Sequence, residues 1–378
     1  MQTKTLKFAC TDDEKNETIR PLLDSLTRSV PELTIERVGP YEFSELVRAL
    51  VQARPDGIIL DLRLDELVGP EGHRVDFRGL SVAQELRTRM TERKMNNAPI
   101  VLWSVLRNFN RSYRGDLTGH DLFDAVYDKE EDVQQDPGRV ARELVSLHDA
   151  YTKLSTASRP AIYELLGLTV AERDLLDPRY IDYVPDPNGL AVHELARRIL
   201  ATLVVPRGPL IDEQLLAAKL GVDRDASRGD WGKLLERLRE PCAYTGIFAG
   251  GWPRWWAHRL ATWWDSELNS PDKLQRTTAA DRVRLLKKKF SLRLLRASEP
   301  IEEGYSTCFS TVCRVFEKPL DPIDGIRIVS GQSHPFQDFQ YISLKAALER
   351  KYKQKKFVIE SLELSRLERI KDAKKSKK

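Results

Sequence analysis

The stretch Gly57-Ile58-Ile59-Leu60-Asp61 decides how the first third of this 378-residue chain folds. An apolar run of strand length that follows a proline closely and ends on an acid is typical of a buried parallel strand. Such a strand carries the carboxylate of Asp61 at its C-terminal end. In open α/β folds this edge of the sheet is where ligands bind and chemistry occurs.

Three more apolar runs lead to polar side chains in the same way. Residues 6–10 lead to Asp12, Asp13 and Glu14. Residues 99–103 lead to Ser104, and residues 124–127 lead to Lys129. Because the carboxyl ends of parallel strands meet at one edge of a sheet, we expect these side chains to lie together with Asp61.

Carboxylates gathered at one sheet edge repel one another, so they are tolerable mainly around a hard cation that prefers oxygen ligands. Lysine supplies a compensating point charge. The simpler interpretation is that Asp12, Asp13 and Glu14 only cap and charge the next helix. Four strand ends with suitable side chains in order favour the ion site.

This order of an acid pair, a single acid, a hydroxyl and a lysine resembles the receiver domains of two-component response regulators. The resemblance implies that a histidine kinase phosphorylates Asp61, and that Ser104 and Lys129 are the switch hydroxyl and the phosphate-binding lysine. It also implies a Mg²⁺ site, whose ligands would be Asp12, Asp13, Asp61 and the backbone carbonyl of Arg63.

Three features depart from the receiver pattern. The segment from Leu62 to Arg78, which contains Gly69-Pro70-Glu71-Gly72, is longer than the usual link from the phosphoacceptor strand to the next helix. Glu130 follows Lys129 where receivers usually have proline. The usual aromatic switch position is Val126, with Tyr127 one place later. A pseudo-receiver that is not phosphorylated is therefore an open alternative.

Composition places the chain among soluble proteins with several domains. It is 41% hydrophobic and 31% charged, and it contains no apolar run long enough for a membrane span, so we expect a cytoplasmic location. Residues 1–137 carry 19 basic and 25 acidic side chains, whereas the rest carry 42 and 32. The sequence thus joins an acidic module to a basic one.

Hydrophobic periodicity predicts a doubly wound, five-stranded parallel sheet over residues 1–153, of the receiver or flavodoxin-like type. The predicted strands are 4–10, 33–38, 57–61, 99–104 and 124–128, and the predicted helices are 16–29, 43–54, 80–92 and 138–153. The stretch from Arg107 to Leu122 is a poor helix former, so we expect the fourth helix to be short or distorted.

After residue 153 the pattern becomes mainly helical, which predicts an α+β C-terminal region. We predict a linker at 154–160, a helical domain at 161–270, a basic α+β region of unassigned fold at 271–350, and a basic helix with a tail at 351–378. Within the last segment, Lys371 to Lys378 are expected to be disordered.

Residues 211–256 weakly resemble a winged helix-turn-helix. The pattern predicts a helix over 211–222, an eight-residue connection, a second helix from Trp231 to Glu240 and a hairpin over 243–252. Such modules dock proteins as well as DNA. The candidates for contact with nucleic acid or a protein partner are Arg228, Lys233, Arg237, Trp252, Trp255, Lys287, Lys288 and Lys289.

Tryptophans cluster between Trp252 and Trp264. The functional interpretation is a stacking platform or a partner anchor, and the alternative, which we favour, is a bulky helical core. The lysine-rich C-terminal end can attract non-specific nucleic acid or simply be a solvated helix.

The chain lacks the phosphate-loop, dinucleotide-binding, zinc-protease and serine-hydrolase motifs, so we predict a regulatory protein and not an enzyme. Three functions are open. The first is a response regulator whose phosphorylation changes the protein or DNA contacts of its C-terminal region, either as a monomer or as a homodimer. The second is a pseudo-receiver scaffold subunit. The third is an enzyme with an unrecognised site in 300–345.

Overall fold

The computed structural model describes residues 5–39, 42–66, 74–113, 117–156, 158–184, 187–268, 270, 272–329 and 334–375. The chain forms two compact units. The first comprises Met1–Leu175, Ile181–Ala201 and Thr245–Trp252, and the second comprises Leu176–Tyr180, Thr202–Tyr244 and Pro253–Lys378. These units do not coincide with the five predicted segments, and the limits of independently folding domains stay a prediction.

The first unit contains a five-stranded parallel sheet, which confirms the predicted fold class. Its strands are β1 (Leu6–Thr11), β2 (Leu33–Arg37), β3 (Gly57–Asp61), β4 (Ile100–Ser104) and β5 (Ala125–Asp128). Their order in the sheet is β2-β1-β3-β4-β5. This is the flavodoxin-like order, in which the direction of winding changes between β1 and β3 and leaves a crevice at their carboxyl ends.

Helices cover the sheet and begin and end close to the predicted residues. They are α1 (Asn16–Ser29), α2 (Phe43–Ala53), α3 (Gly79–Thr91), α4 (Leu106–Ser112) and α5 (Pro137–Leu154). Helices α1 and α5 pack against each other, as do α2 and α3. The prediction of a short fourth helix is confirmed, because α4 has only 7 residues and the chain continues as a 3₁₀ turn over Leu117–Leu122.

The long link between β3 and α3 returns to the sheet at Gly79. A Cβ atom at this position would lie 2.1 Å from the carbonyl oxygen of Asp61, so only glycine allows the close approach. The predicted turn at Gly69–Gly72 lies outside the described residues. The described ends of the link, up to Glu66 and from Arg74, flank the carboxyl edge of the sheet.

Further helices of the first unit follow α5. They are α6 (Ile162–Leu165), the C-terminal part of α7 (Pro178–Tyr183) and α8 (Val192–Ile199). Helix α8 packs on α5. The turn around Gly251 also lies on α5, where a Cβ at Gly251 would come within 2.7 Å of the Cα of Glu143. The predicted linker is thus followed by chain that packs on α5.

The second unit begins with a short strand and two helices in the region for which a winged helix-turn-helix was predicted. Its first elements are β6 (Leu210–Ile211), α9 (Glu213–Leu220) and α10 (Arg224–Cys242). Gly221, Val222 and Asp223 join α9 to a first helical turn of α10, and the backbone at Arg228 is not helical, so the longer part of α10 begins close to the predicted Trp231. The Asp223 side chain accepts a hydrogen bond from the Ala226 amide at 3.0 Å, and this cap starts the short first turn of α10. Helix α10 is kinked at Arg228, where φ is 26°.

The predicted hairpin over 243–252 is reduced to one antiparallel bridge between Ala243 and Trp255, and the residues between them form mainly turns. The strand β7 (Trp255–Trp256) pairs antiparallel with β6. Helix α11 (Ala257–Leu268) follows, so Trp252 and Trp256 do not share one helix with Trp263. Trp256 and Trp264 are fully buried, which confirms the bulky-core interpretation for these side chains.

The remaining elements of the second unit form two cores. The first core runs from Ile211 to Val312 and includes α12 (Ala279–Phe290) and β8 (Thr311–Val312), so it crosses the segment limit predicted at 270. The second core contains residues from Cys313 to Leu367. Its elements are β9 (Pro319–Leu320), β10 (Gly325–Val329), β11 (Gln340–Ser343), α13 (Leu344–Leu348), β12 (Val358–Ile359) and α14 (Ser361–Lys375).

Helix α14 corrects the prediction of disorder from Lys371 onward, because the helix continues to Lys375. Residues 376–378 lie outside the described residues. Among the helices that the structure describes, none is long and apolar enough to cross a membrane.

A buried ion pair, which we did not predict from the sequence, lies at the amino edge of the sheet. The Arg87 guanidinium lies 2.8 Å from the Asp124 carboxylate, and the Tyr151 hydroxyl donates to Asp124 at 2.7 Å. Asp124 also accepts from the Ile100 amide at 2.8 Å, and Arg87 donates to the carbonyl of Ala98 at 3.2 Å. This network therefore joins α3, α5 and the starts of β4 and β5.

We expect Arg87→Met to lower the free energy of unfolding by about 3–5 kcal/mol, because it leaves the Asp124 carboxylate buried without its cation. Urea unfolding followed by circular dichroism measures the change. The matched control is Arg89→Met, which breaks an exposed pair with Glu85 and should cost less than about 1 kcal/mol. Equal losses in both variants would contradict a special role for the buried pair.

Candidate functional site

The carboxyl edge of the sheet brings together all five side chains predicted for the site. Asp12 and Asp13 follow β1, Asp61 ends β3, Ser104 ends β4 and Lys129 follows β5. Each is at most 4% exposed. The cluster lies where the winding of the sheet changes direction, which is the position that this sheet order provides for a ligand.

The three aspartates form a compact acid cluster. Asp12, Asp13 and Asp61 can each direct a carboxylate oxygen so that all three oxygens lie within 4.8 Å of one another. Backbone amides orient two of them: Asp12 accepts from Glu14 at 2.9 Å and Asp13 accepts from Glu66 at 3.1 Å. Such a set of hard oxygen donors suits Mg²⁺.

One oxygen of Asp61 supports this fit. Its Oδ1 atom is fully buried and has no hydrogen-bond partner among the residues that the structure describes. The ammonium of Lys129 lies 3.5 Å away. A buried carboxylate oxygen without a hydrogen bond is costly, and a bound cation would remove that cost.

Lys129 is the central cation of the cluster. Its Nζ lies 2.7 Å from Asp12 and 2.8 Å from Glu14, and 5.4 Å from the centre of the Trp103 ring. Burial alone would lower the pKa of Lys129, but the charges of Asp61, Asp12 and Glu14 outweigh burial and raise it. The lysine is therefore always charged.

The local fold after β5 explains the missing proline. Lys129 begins a π-helical turn over Lys129–Val133, and the Asp128 side chain accepts hydrogen bonds from the amides of Glu130 and Glu131 at 2.8 and 2.9 Å. A proline at 130 could not donate this bond. Helical turns of this type are frequent at functional sites.

The carboxyl group of Asp61 has a pKa well above that of an ordinary aspartate. Burial is the largest cause, the Lys129 charge opposes it, and the charges of Asp12 and Asp13 raise the pKa further. Without a further cation, Asp61 thus retains a proton at pH values where an exposed aspartate is ionised. A bound divalent cation would favour the ionised form.

A pocket of about 320 Å³ opens above Asp61, and several of its residues were not predicted. Glu14, Thr18, Glu66, Arg107 and Asn108 line it together with Asp13, Asp61, Ser104 and Lys129. Asn108 donates to Glu66 at 3.4 Å, and Arg107 lies 3.9 Å from the same carboxylate. The acid run signalled Glu14, but no spacing in the sequence signalled Glu66, because it lies within an irregular link.

Two further predictions concern Arg63 and the aromatic switch position. The Arg63 side chain pairs with Asp65 at 2.6 Å. That the Arg63 backbone carbonyl is a metal ligand stays a prediction. Val126 is 40% exposed, whereas Tyr127 is buried, so the aromatic ring near Lys129 belongs to the core.

The residues predicted to contact nucleic acid or a partner differ in exposure. Trp252 in the first unit and Trp255 in the second are both buried, which favours the core alternative for these two side chains. Lys287 is partly buried. The exposed candidates are Arg228, Lys233, Arg237, Lys288 and Lys289.

No family model and no curated protein matches this chain. Among solved structures, similarity extends to a sensor protein from Polaromonas sp. JS666, with 15% identity, a TM-score of 0.27, and coverage of 39% of this chain and 98% of that chain. NtrX from Brucella abortus in complex with ATP matches at 16% identity and a TM-score of 0.30, over 52% of this chain and 40% of NtrX.

A two-component response regulator of the LuxR family from Aurantimonas sp. SI85-9A1 matches at 14% identity and a TM-score of 0.26, over 46% of this chain and 100% of that chain. The chain thus spans less than half of the length of NtrX. At such low similarity the matches carry no inference about function. The sheet order and the polar residues at its carboxyl edge fit a receiver domain. The N-terminal third has a receiver-like fold.

We expect Mg²⁺ to bind weakly at Asp12, Asp13 and Asp61, because three adjacent carboxylates with one lysine leave excess negative charge. Calorimetric titration of the wild-type chain should show heat of binding, and Asp13→Asn should show none. Glu17→Gln, on the surface of α1, is the matched control and should bind like the wild type. Equal binding by the Asp13 variant would remove the metal from this edge.

Proposed function

We propose that the receiver-like domain is a phosphoacceptor and that Asp61 receives the phosphoryl group from a histidine kinase in the cytoplasm. The observation that supports this best is the pocket above Asp61, in which a carboxylate, a hydroxyl and a lysine from successive strands face one volume. The kinase phosphohistidine loses its N–P bond as one Asp61 oxygen forms an O–P bond, so the phosphoryl group moves without a change of oxidation state.

The residues around Asp61 have separate tasks in this proposal. Lys129 and Ser104 bind oxygens of the transferred phosphoryl group, and the amides of Glu14 and Glu66 keep Asp12 and Asp13 oriented. A bound Mg²⁺ would supply positive charge against the developing charge on the phosphoryl oxygens. Before transfer, Lys129 forms an ion pair with Glu14. A phosphoryl group on Asp61 adds negative charge that attracts the Lys129 ammonium, and the ion pair with Glu14 is thereby weakened.

Asp61→Asn should abolish phosphoryl uptake, since an amide cannot form the acyl phosphate. Lys129→Ala should reduce uptake because it removes the cation that compensates an added charge of about −1.5 to −2. Intact mass spectrometry after incubation with acetyl phosphate and Mg²⁺ measures both effects. Asp24→Asn, on the exposed side of α1, is the matched control for the loss of a carboxylate and should be phosphorylated normally.

A phosphoryl group on another residue would overturn the assignment of Asp61. No uptake by the wild-type chain, from either acetyl phosphate or a histidine kinase, would favour the second candidate function, a pseudo-receiver scaffold in a larger complex. The link between β3 and α3 supports that alternative, since Glu66 already places a carboxylate at the mouth of the pocket. The proposal of a regulatory protein and not an enzyme is common to both functions.

For the output we propose contact with a protein partner through the second unit, with any nucleic-acid binding being non-specific. Two cations of α10 pair with acids of the same helix: Lys233 lies 2.8 Å from Asp230, and Arg239 lies 3.1 Å from Glu236. Such pairing leaves little net charge for phosphates. Helices α9 and α10 follow each other in the order of a helix-turn-helix, a motif that serves both kinds of contact. A homodimer is a further proposal of the same kind.

We expect nucleic-acid binding to be independent of sequence, to weaken steeply with salt, and to depend on 282–296 and Lys371–Lys378. The slope of log affinity against log salt is about −0.9 for each phosphate neutralised on duplex DNA. Fluorescence anisotropy compares the full chain with a chain ending at Ile370. Tight, sequence-selective binding that survives salt and truncation would instead identify a DNA-reading regulator.

A further inference from the structure

A cavity of about 1020 Å³ lies at the amino edge of the sheet, within the first unit and opposite the acid cluster. Its walls come from the connection before β3, the loop between α3 and β4, the C-terminal half of α5, and residues 188–192. Pro55, Met95, Tyr151 and Val192 form its apolar part. Its volume is at the upper end of the roughly 300–1,000 Å³ that is usual for small-molecule sites.

Positive charge dominates the lining of this cavity. Its charged side chains are Arg54, Arg93, Arg159 and Asp56, with His148 beside them. Arg54 and Arg93 are exposed on the rim, and neither forms an ion pair with the residues that the structure describes. Asp56 is already engaged, since it accepts from the Lys7 amide at 2.9 Å. A concave surface with unpaired cations concentrates anions.

Both rim arginines occupy the left-handed region of backbone conformation. The φ angle is 45° at Arg54, which ends α2, and 59° at Arg93, which follows α3. Glycine or asparagine would fit these positions with less strain. The neighbouring Glu92 pairs with Lys94 at 2.7 Å, so it does not neutralise Arg93.

The far wall of the cavity is fixed by Arg159. Its Nε donates to the carbonyl of Leu154 at 2.6 Å, and its Nη1 donates to Leu190 at 2.6 Å and also to Pro187. The Arg159 amide donates to the Asn188 side chain at 3.2 Å. Because these bonds tie residues 187–190 to the end of α5, the wall is preorganised for a ligand.

We propose that this cavity binds a phosphate-bearing small molecule of nucleotide size. The forked guanidinium groups of Arg54 and Arg93 pair with phosphate oxygens bidentately. The amides of Asn96, Asn97 and Asn188 and the hydroxyl of Thr152 line the remaining volume and bind its polar edges. The size of the cavity and the number of arginines favour such a molecule over a single inorganic anion.

Calorimetric titration with ATP tests the proposal on the full chain carrying Asp61→Asn, in EDTA, so that neither the acid cluster nor a metal contributes. ATP should bind saturably, and adenosine should bind at least tenfold more weakly because it lacks the phosphates. Arg54→Gln with Arg93→Gln should weaken ATP about tenfold or more. The matched control, Arg20→Gln with Arg28→Gln on α1, should stay within about twofold.

Hydrogen exchange locates the ligand in the same sample, and ATP should protect amides in 91–97 and 187–192. A second variant, Asn97→Trp, places a bulky side chain in the cavity without removing charge and should also weaken ATP binding. It tests the proposal where the arginine variant does not fold. The proposal is wrong if ATP does not bind saturably, if the cavity and control variants bind alike, if folded Asn97→Trp binds normally, or if protection appears elsewhere. None of these outcomes depends on whether Asp61 accepts a phosphoryl group.

Discussion

The ammonium of Lys129 is the interaction on which the carboxyl edge of the sheet depends. It lies within 3.5 Å of carboxylate oxygens of Asp12, Glu14 and Asp61, in a place that excludes most water. Removing a single buried partner from such a group leaves uncompensated charge, which is far more costly than breaking an exposed pair. The same balance is sensitive to new charge, because one lysine cannot satisfy three carboxylates and a phosphoryl group at full strength.

A change at Lys129 has a short covalent and ionic path to other parts of the first unit. The π-helical turn that begins at Lys129 contains Asp132, which pairs with Arg139 at 2.6 Å, and Arg139 lies 3.2 Å from Glu143 on α5. The turn containing Gly251 rests on Glu143. That turn is continuous in sequence with α10 before it and β7 after it, so the chain itself connects α5 to elements of the second unit.

The sequence was sufficient for the sheet and for most of the acid site, because each of these depends on local pattern. A strand of apolar residues that ends on an acid fixes both its burial and the position of the acid, and Asp61 is the clearest example. The connection between α9 and the longer part of α10 was predicted without its helical turn, because Asp223 was not identified as the cap that starts this turn. Glu66 and the Arg87–Asp124 pair were missed because contacts between distant residues in irregular segments leave no periodic signal.

The two ends of the sheet are opposite in charge, and strands β4 and β5 join them. Asp124 and Ile100 meet the Arg87–Tyr151 network at the amino edge, while Ser104 and Lys129 end the same strands at the acid cluster. Tyr151 also lines the cationic cavity.

Coupling between two sites needs a rigid connection and a ligand that distinguishes two states. Strands β4 and β5 supply the connection, since β4 is buried along its length and both are hydrogen-bonded in register. Tyr151 could supply the distinction between states, because it contacts both the buried ion pair and the cavity. A ligand that moves the Tyr151 hydroxyl away from Asp124 would thereby weaken the ion pair at the start of the strand that positions Lys129.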